Sequence, residues 1–138
     1  MNIYFSCAIT GGRDDQHTYA ALVNEMLKNG HIVPTSTLAQ PGIMEKEAVV
    51  SPQEVYERDV TWVNGCDALV AEVSTPSHGV GYEIALALLL GKPVLCCYQM
   101  GKRVSKMITG NTMPNLQVSS YETIEQALEI LRSFTEKP

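Results

Sequence analysis

The chain has 138 residues, a hydrophobic content of 45% and a formal net charge of −5 at pH 7. This length predicts a single domain over residues 1–138 with one core. The acidic balance argues against a broad surface for a nucleic-acid polymer, and no apolar run reaches the roughly 20 residues that span a membrane. A small anionic ligand remains compatible with this charge, because a few local N–H groups are enough to bind one phosphate.

Apolar segments alternate with helical patterns along the chain. Five segments are predicted as strands, at residues 2–7, 31–34, 68–73, 93–98 and 116–119. Helical spacing of apolar residues predicts helices at 16–29, 52–64, 80–90 and 124–134. This alternation predicts a single-domain α/β fold, in which a doubly wound (Rossmann-like or flavodoxin-like) five-stranded parallel sheet carries helices on both faces.

The N-terminus and the cysteines favour a cytoplasmic protein. Met1 leads almost directly into the first predicted strand, so no signal peptide is expected. None of the four cysteines forms a CxxC pair, and we expect buried free thiols in a reducing compartment. The three histidines lack the spacing of metal ligands, so the sequence predicts no metal site.

Three polar or glycine-rich loops leave the carboxyl ends of the predicted strands, at residues 8–15, 35–50 and 74–79. Ligands of doubly wound sheets bind at this edge, so we expect the site among these loops. The glycine pair of the first loop matches neither a P-loop nor a GxGxxG motif, and nothing indicates a nucleoside triphosphate or a dinucleotide. After the second loop, Ser51 and Pro52 followed by Glu54 are typical of a helix start.

The segment after the third predicted strand carries the clearest sign of a site. Gly79 and Gly81 let the backbone approach a ligand, and the start of the following helix offers unpaired N–H groups to a phosphate. Glu83 is expected in the first turn of that helix, where the helix dipole favours the ionised carboxylate. Asp67, directly before the strand, supplies a second candidate carboxylate. Such a pair suits nucleophilic attack on a sugar phosphate.

Each of these residues also has a purely structural interpretation. Glu83 could simply stabilise its own helix, and Asp67 could end a turn. Tyr4 could be a core aromatic residue whose hydroxyl reaches the edge of the sheet. Residue types alone leave these alternatives open.

Several motifs together point to one family. They are Tyr4-Phe5, Gly11-Gly12-Arg13, Glu57-x-Asp59-x-x-Trp62, Cys66-Asp67-Ala68-Leu69-Val70-Ala71-Glu72-Val73 and Pro76-Ser77-x-Gly79-Val80-Gly81-Tyr82-Glu83. With these motifs the chain resembles the nucleoside 2-deoxyribosyltransferase superfamily over nearly its whole length. The segment at 103–110, Arg-Val-Ser-x-Met-Ile-x-Gly, is typical of the branch that hydrolyses 2′-deoxynucleoside 5′-phosphates.

The resemblance implies a retaining N-glycosidase that acts on deoxyribonucleoside 5′-monophosphates without a cofactor. It places the nucleophile at Glu83 and a supporting acid/base carboxylate at Asp67. It also places Tyr4 against the sugar, where the hydroxyl would help to hold Glu83.

The same resemblance implies a set of substrate-binding residues and a shared site. The residues are Ser77, Gly79, Ser105, Met107, Ile9, Gly11 and Arg13. Ser77 and Gly79 would bind the 5′-phosphate, and Ser105 would reach it from a neighbouring subunit. A homodimer with shared active sites is therefore expected, and the basic segment 100–111 is the part expected to face the partner.

Three other functions remain open. The protein could be a deoxyribosyltransferase that passes the sugar to a second base, or a hydrolase of ribonucleotides such as CMP. It could also be a nucleotide sensor without turnover. The phosphate-binding serines favour the monophosphate hydrolase, and the joint presence of Tyr4, Asp67 and Glu83 speaks against a sensor.

Overall fold

Four parallel strands form the sheet of the computed structural model, which describes residues 1–9 and 15–137. The strands are β1 (Ile3–Ser6), β2 (Ala68–Glu72), β3 (Val94–Gln99) and β4 (Leu116–Tyr121). They lie side by side in chain order, and each neighbouring pair is parallel. The predicted α/β class and parallel sheet are thus confirmed within the described residues.

The helices follow the strands in the expected alternation. They are α1 (Gln16–Lys28), α2 (Ile43–Ala48), α3 (Pro52–Gly65), α4 (His78–Leu89), α5 (Lys106–Thr109) and α6 (Ile124–Thr135). A 3₁₀ helix (Ser36–Ala39) and α2 occupy the segment that was predicted as a loop at 35–50. In the described ranges, no helix combines the length and the apolar character needed to cross a membrane.

The predicted strand at 31–34 is wrong, and so is the count of five strands. Ile32 forms a single parallel bridge with Asn2, and the pairing stops there. Pro34 has no N–H to continue the ladder. The Phe5 N–H, which a fifth strand would use, donates to the Thr35 side-chain hydroxyl at 2.9 Å instead.

Helices cover both faces of the sheet. Side chains of α1 and α6 pack on one face with Ile3 and Phe5, and side chains of α3 and α4 pack on the other with Tyr4. This split follows from the strand geometry, because successive side chains point to opposite faces. The alternation therefore sends the Tyr4 ring towards α3 and α4.

The start of α4 lies two residues earlier than its apolar pattern predicted. The Ser77 hydroxyl accepts the Val80 N–H at 3.4 Å and caps the helix, which begins at His78. Glu83 is consequently in the second turn. The expectation that Glu83 lies in the first turn, ionised by the helix dipole, is wrong for this reason.

Candidate active site

A cleft of about 630 Å³ lies beyond the carboxyl end of β1, between α3 and α4. Ile9 after β1 and Val50 before α3 contribute to its largely apolar wall, together with Val55 and Val60 of α3. Its position agrees with the edge at which parallel sheets bind ligands. Among residues 1–9 and 15–137, no cluster of three or more His, Cys, Asp or Glu side chains could hold a metal ion.

Glu83 lies in this cleft and is held by two hydroxyl groups. The Tyr4 hydroxyl donates a short hydrogen bond to Glu83 Oε2, and the Ser6 hydroxyl donates to Oε1 at 3.3 Å. Burial raises the pKa of Glu83 to about 7, and the nearby charge of Asp59 adds to the rise. The two hydrogen bonds act in the opposite direction because they favour the ionised form.

Tyr4 is a permanent hydrogen-bond donor in this arrangement. Its ring is fully buried, and burial together with the charge of Glu83 raises the pKa of Tyr4 far above its usual value. The hydroxyl therefore keeps its proton throughout the neutral range. The expected contact between Tyr4 and Glu83 is present.

Asp59 is the carboxylate whose charge acts on Glu83 in the cleft, whereas the sequence pointed to Asp67. Glu47 of α2 also lines the cleft. Asp67 Oδ2 accepts the Asn2 N–H at 2.7 Å, at the amino ends of β1 and β2. The cleft lies at the opposite edge of the sheet, and Asp67 does not contribute to its wall. The structure thus corrects the placement of Asp67, because a residue directly before a strand lies at the amino edge.

Asp59 reaches the cleft from α3. Val55, Asp59 and Val63 all line the cleft, and their spacing of four residues puts them on one helix face. Burial raises the pKa of Asp59, and the ion pair with Arg58 opposes this rise. The signal that could have identified Asp59 is a single carboxylate on an otherwise apolar helix face.

The start of α4 brings the expected phosphate-binding residues to the same cleft. Ser77, His78 and Gly79 line it, and Ile9 contributes from the loop after β1. A Cβ atom on Gly79 would lie 3.9 Å from Ser77 Oγ and 4.0 Å from Glu83 Oε1. The glycine therefore keeps the space between the helix start and the carboxylate open.

Two of the predicted substrate contacts, Ser105 and Met107, do not line the cleft of this chain. Ser105 caps α5 by accepting the Met107 N–H at 3.2 Å, and the Met107 side chain is 83% exposed. Neither residue lines the cleft, so their role in a neighbouring subunit's site stays a prediction. Gly11 and Arg13 lie outside the described residues.

The carboxylates of Glu83 and Asp59 and the phenol of Tyr4, beside an apolar cleft, are suited to glycosyl transfer. Glu83 is held by hydrogen bonds and can attack a carbon atom, while Asp59 can exchange a proton. Exposed Tyr56 and Tyr82 pack edge-to-face at the cleft, with ring centroids 6.4 Å apart. Retaining glycosidases use this kind of carboxylate pair.

Comparisons with known proteins find relatives that are named N-hydrolases and a similar fold in an N-glycosidase. The chain is 40% identical over 113 residues to a Rattus norvegicus 5-hydroxymethyl-dUMP N-hydrolase, covering 79% of this chain and 69% of that protein. A Danio rerio protein of the same name is 36% identical over 135 residues, covering 94% of both chains. The fold is similar to that of a Clostridium botulinum CMP N-glycosidase, with a TM-score of 0.73 at 20% identity, over 96% of this chain and 99% of that one.

The family model described as nucleoside 2-deoxyribosyltransferase matches residues 3–127. This match includes every strand and each residue that we have placed in the cleft. The chain belongs to the nucleoside 2-deoxyribosyltransferase family.

Proposed function

We propose that the protein hydrolyses the N-glycosidic bond of 2′-deoxyribonucleoside 5′-monophosphates, releasing the free base and 2-deoxyribose 5-phosphate. The observation that carries this proposal is the partly buried Glu83 carboxylate, which is held by Tyr4 and shares the cleft with Asp59 beside the start of α4. The names of the rat and zebrafish relatives support the substrate class.

In the first step, Glu83 attacks C1′ of the deoxyribose. We assign the attack to Oε1, because Oε2 accepts the short hydrogen bond from Tyr4, whereas Oε1 accepts the longer bond from Ser6 at 3.3 Å and lies on the side of Gly79. The bond between C1′ and the base nitrogen breaks, and its electron pair leaves with the base. Asp59 donates the proton that this nitrogen takes up. The absence of a 2′-hydroxyl makes the oxocarbenium-like transition state easier to reach.

In the second step, water hydrolyses the bond between the sugar and Glu83. Asp59, now a carboxylate, takes a proton from water while the water oxygen bonds to C1′. The electron pair of the C1′–O bond returns to Glu83. Asp59 thus acts as the acid in the first step and as the base in the second. This change is favoured because esterified Glu83 carries no charge, so the pKa of Asp59 is lower in the intermediate.

The phosphate is placed at the start of α4. Ser77 and the N–H groups near Gly79 are the expected contacts, since helix N-termini favour anions. Ser105 and Met107 of the partner subunit would complete the site, which makes the active form a homodimer with shared sites. We place the protein in the cytoplasm, where its buried free cysteines stay reduced.

The experiment that tests this function is a measurement of free-base release from a panel of substrates. The panel contains deoxy- and ribonucleoside 5′-monophosphates and the unphosphorylated deoxynucleosides, each with and without a second base. Release from the deoxy monophosphates, little affected by the second base, is the expected result. Formation of a new nucleoside only with the second base would assign a transferase, and release from ribonucleotides alone would assign the CMP-type activity.

A further inference from the structure

An ion-pair chain runs along one wall of the cleft and ends on Asp59. Arg58 Nε donates to Asp59 Oδ1 at 2.8 Å, and Arg58 Nη2 donates to Glu47 Oε1 at 3.0 Å. Glu47 belongs to α2, whereas Arg58 and Asp59 belong to α3, and both carboxylates line the cleft. We propose that Arg58 is a positioning residue, which orients Asp59 for proton transfer and ties α2 to the wall beside it. This inference rests on the proposed function.

The pair between Arg58 and Asp59 is not explained by the stability of α3. Adjacent residues on a helix project in different directions and do not normally face each other. The Arg58 side chain must therefore fold back along the helix to reach Asp59. An ion pair within one helix also joins no two elements, so the fold gains little from this contact.

Arg58 is itself held in a fixed orientation. Its guanidinium carbon lies 5.2 Å from the centroid of the Trp62 ring, one helical turn further along α3. Two different nitrogens of the planar group then serve two different carboxylates, which a lysine ammonium cannot do with the same geometry. The Asp59 oxygen that Arg58 binds, Oδ1, is thereby fixed, and we assign the proton transfer to the other oxygen.

The charges around Asp59 act in opposite directions. Glu47 from α2 carries a negative charge, Glu83 from α4 is negative when ionised, His78 at the start of α4 lines the same cleft, and the buried Tyr4 hydroxyl from β1 stays neutral. Arg58 lowers the pKa of Asp59 and also that of Glu83, whereas Glu47 raises the pKa of Asp59. Arg58 and Glu47 therefore shift the pKa of Asp59 in opposite directions.

The test measures base release against pH for Arg58→Gln, Arg58→Lys and Glu47→Gln in the full-length protein. In Arg58→Gln we expect the limbs of the kcat/KM profile to shift to higher pH by about one unit. In Glu47→Gln we expect them to shift to lower pH. Arg58→Lys keeps the charge, so its limbs stay near the wild-type position while kcat falls about tenfold through lost orientation. A merely structural ion pair would lower activity in all three variants without opposite shifts.

The matched control is Arg132→Gln. Arg132 Nε binds Glu25 Oε1 at 2.6 Å and joins α6 to α1 on the other face of the sheet. Arg132→Gln breaks an ion pair of the same kind, and we expect the pH profile of kcat/KM to stay unchanged. Thermal unfolding of each variant shows that the comparison is made between folded proteins.

A second readout separates this inference from the proposed function. Carbon-13 NMR of the side-chain carboxyl groups follows the titration of Asp59 without substrate. Opposite shifts in Arg58→Gln and Glu47→Gln would support the ion-pair chain, even if the wild-type protein released no base and the proposed function failed. Base release by the wild type with an unmoved Asp59 titration, or with both variants moving it the same way, would overturn the inference.

Discussion

Each face of the sheet holds a glutamate, and the two glutamates differ in access. Glu83 opens onto the cleft beneath α3 and α4, whereas Glu72 is fully buried at the end of β2. Burial raises the pKa of both side chains to about 7. A raised pKa alone therefore does not identify the reacting group, and the open space beside Glu83 is what distinguishes it.

The hydrogen bonds around the two carboxylates also differ in kind. Glu72 Oε1 accepts from the Ser74 N–H at 3.2 Å, from the Ser74 hydroxyl and from the Tyr121 hydroxyl at 3.2 Å. The Ser74 hydroxyl in turn accepts the Gln99 N–H at 2.8 Å. These contacts join β2, β3 and β4, so Glu72 holds strand ends together.

The largest expected effect separates the two glutamates by activity. Glu83→Gln replaces the nucleophilic carboxylate with an uncharged amide, and we expect base release to fall by roughly 10³-fold or more. Glu72→Gln retains an oxygen that can accept from Ser74 and Tyr121, and we expect activity within a few-fold of wild type. Steady-state base release, per mole of folded protein, measures both. Equal losses in the two variants would remove the distinction drawn here.

The second prediction concerns the pH dependence of stability. Burial raises the pKa of Glu72 in the folded protein to about 7 from its usual value of 4.5, so Glu72 stabilises the fold most when it is protonated. This contribution is fully present below pH 4.5 and is lost as the pH rises through 7, a change of about 3 kcal/mol. Urea unfolding from pH 4.5 to 8 should show this loss in wild type and a flatter dependence in Glu72→Gln. An unchanged slope in the variant would assign the dependence to other groups.

The third prediction tests the hydroxyl that holds Glu83. Tyr4→Phe removes a hydrogen bond that lowers the pKa of Glu83, so the low-pH limb of kcat/KM should move upwards. We expect a loss of roughly 10- to 100-fold in kcat near neutral pH. Tyr19→Phe is a suitable control, because Tyr19 is buried on the face of α1 and α6. A limb that moves equally in both variants would contradict the assignment.

The smallest expected effect concerns the space in front of Glu83. Gly79→Ala adds a methyl group at ordinary contact distance from Ser77 and Glu83, so the fold should tolerate it. We expect KM for the monophosphate to rise about tenfold, because the methyl group narrows the phosphate side of the cleft. Gly81→Ala is the matched control, since a Cβ there meets nothing within 4 Å. Similar KM values for the two variants would show that Gly79 is not near the phosphate.

Sequence patterns of a few adjacent residues predicted the parts of the fold that depend on neighbouring residues. Ser51 accepts the Glu54 N–H at 3.2 Å, and α3 begins at Pro52, as the sequence predicted. Apolar runs likewise located four of the five predicted strands. The segment at 31–34 has the same apolar character, but its pairing stops because a side-chain hydroxyl takes the place of a backbone carbonyl, which composition does not reveal.

The site was predicted in part, and the error has a geometric cause. Glu83 and Ser77 follow a strand directly, so the rule for carboxyl ends places them correctly. Asp67 precedes the same strand, so the same rule places it at the amino edge of the sheet, opposite the cleft. Asp59 comes from a helix that packs across the sheet, so its approach to Glu83 depends on tertiary packing rather than on sequence distance.

The Thr35 hydroxyl has a consequence for how molecules of this protein behave in a crowded solution. Strand edges with unpaired N–H groups can add a strand from another molecule and start aggregation. Beside β1, the bridge at Ile32 and the hydrogen bond from Phe5 to Thr35 occupy donors that such a strand would need. Thr35 is completely buried, so an approaching chain does not reach that bond. The β1 edge of the sheet is thereby protected against edge-to-edge association, although no fifth strand covers it in the described residues.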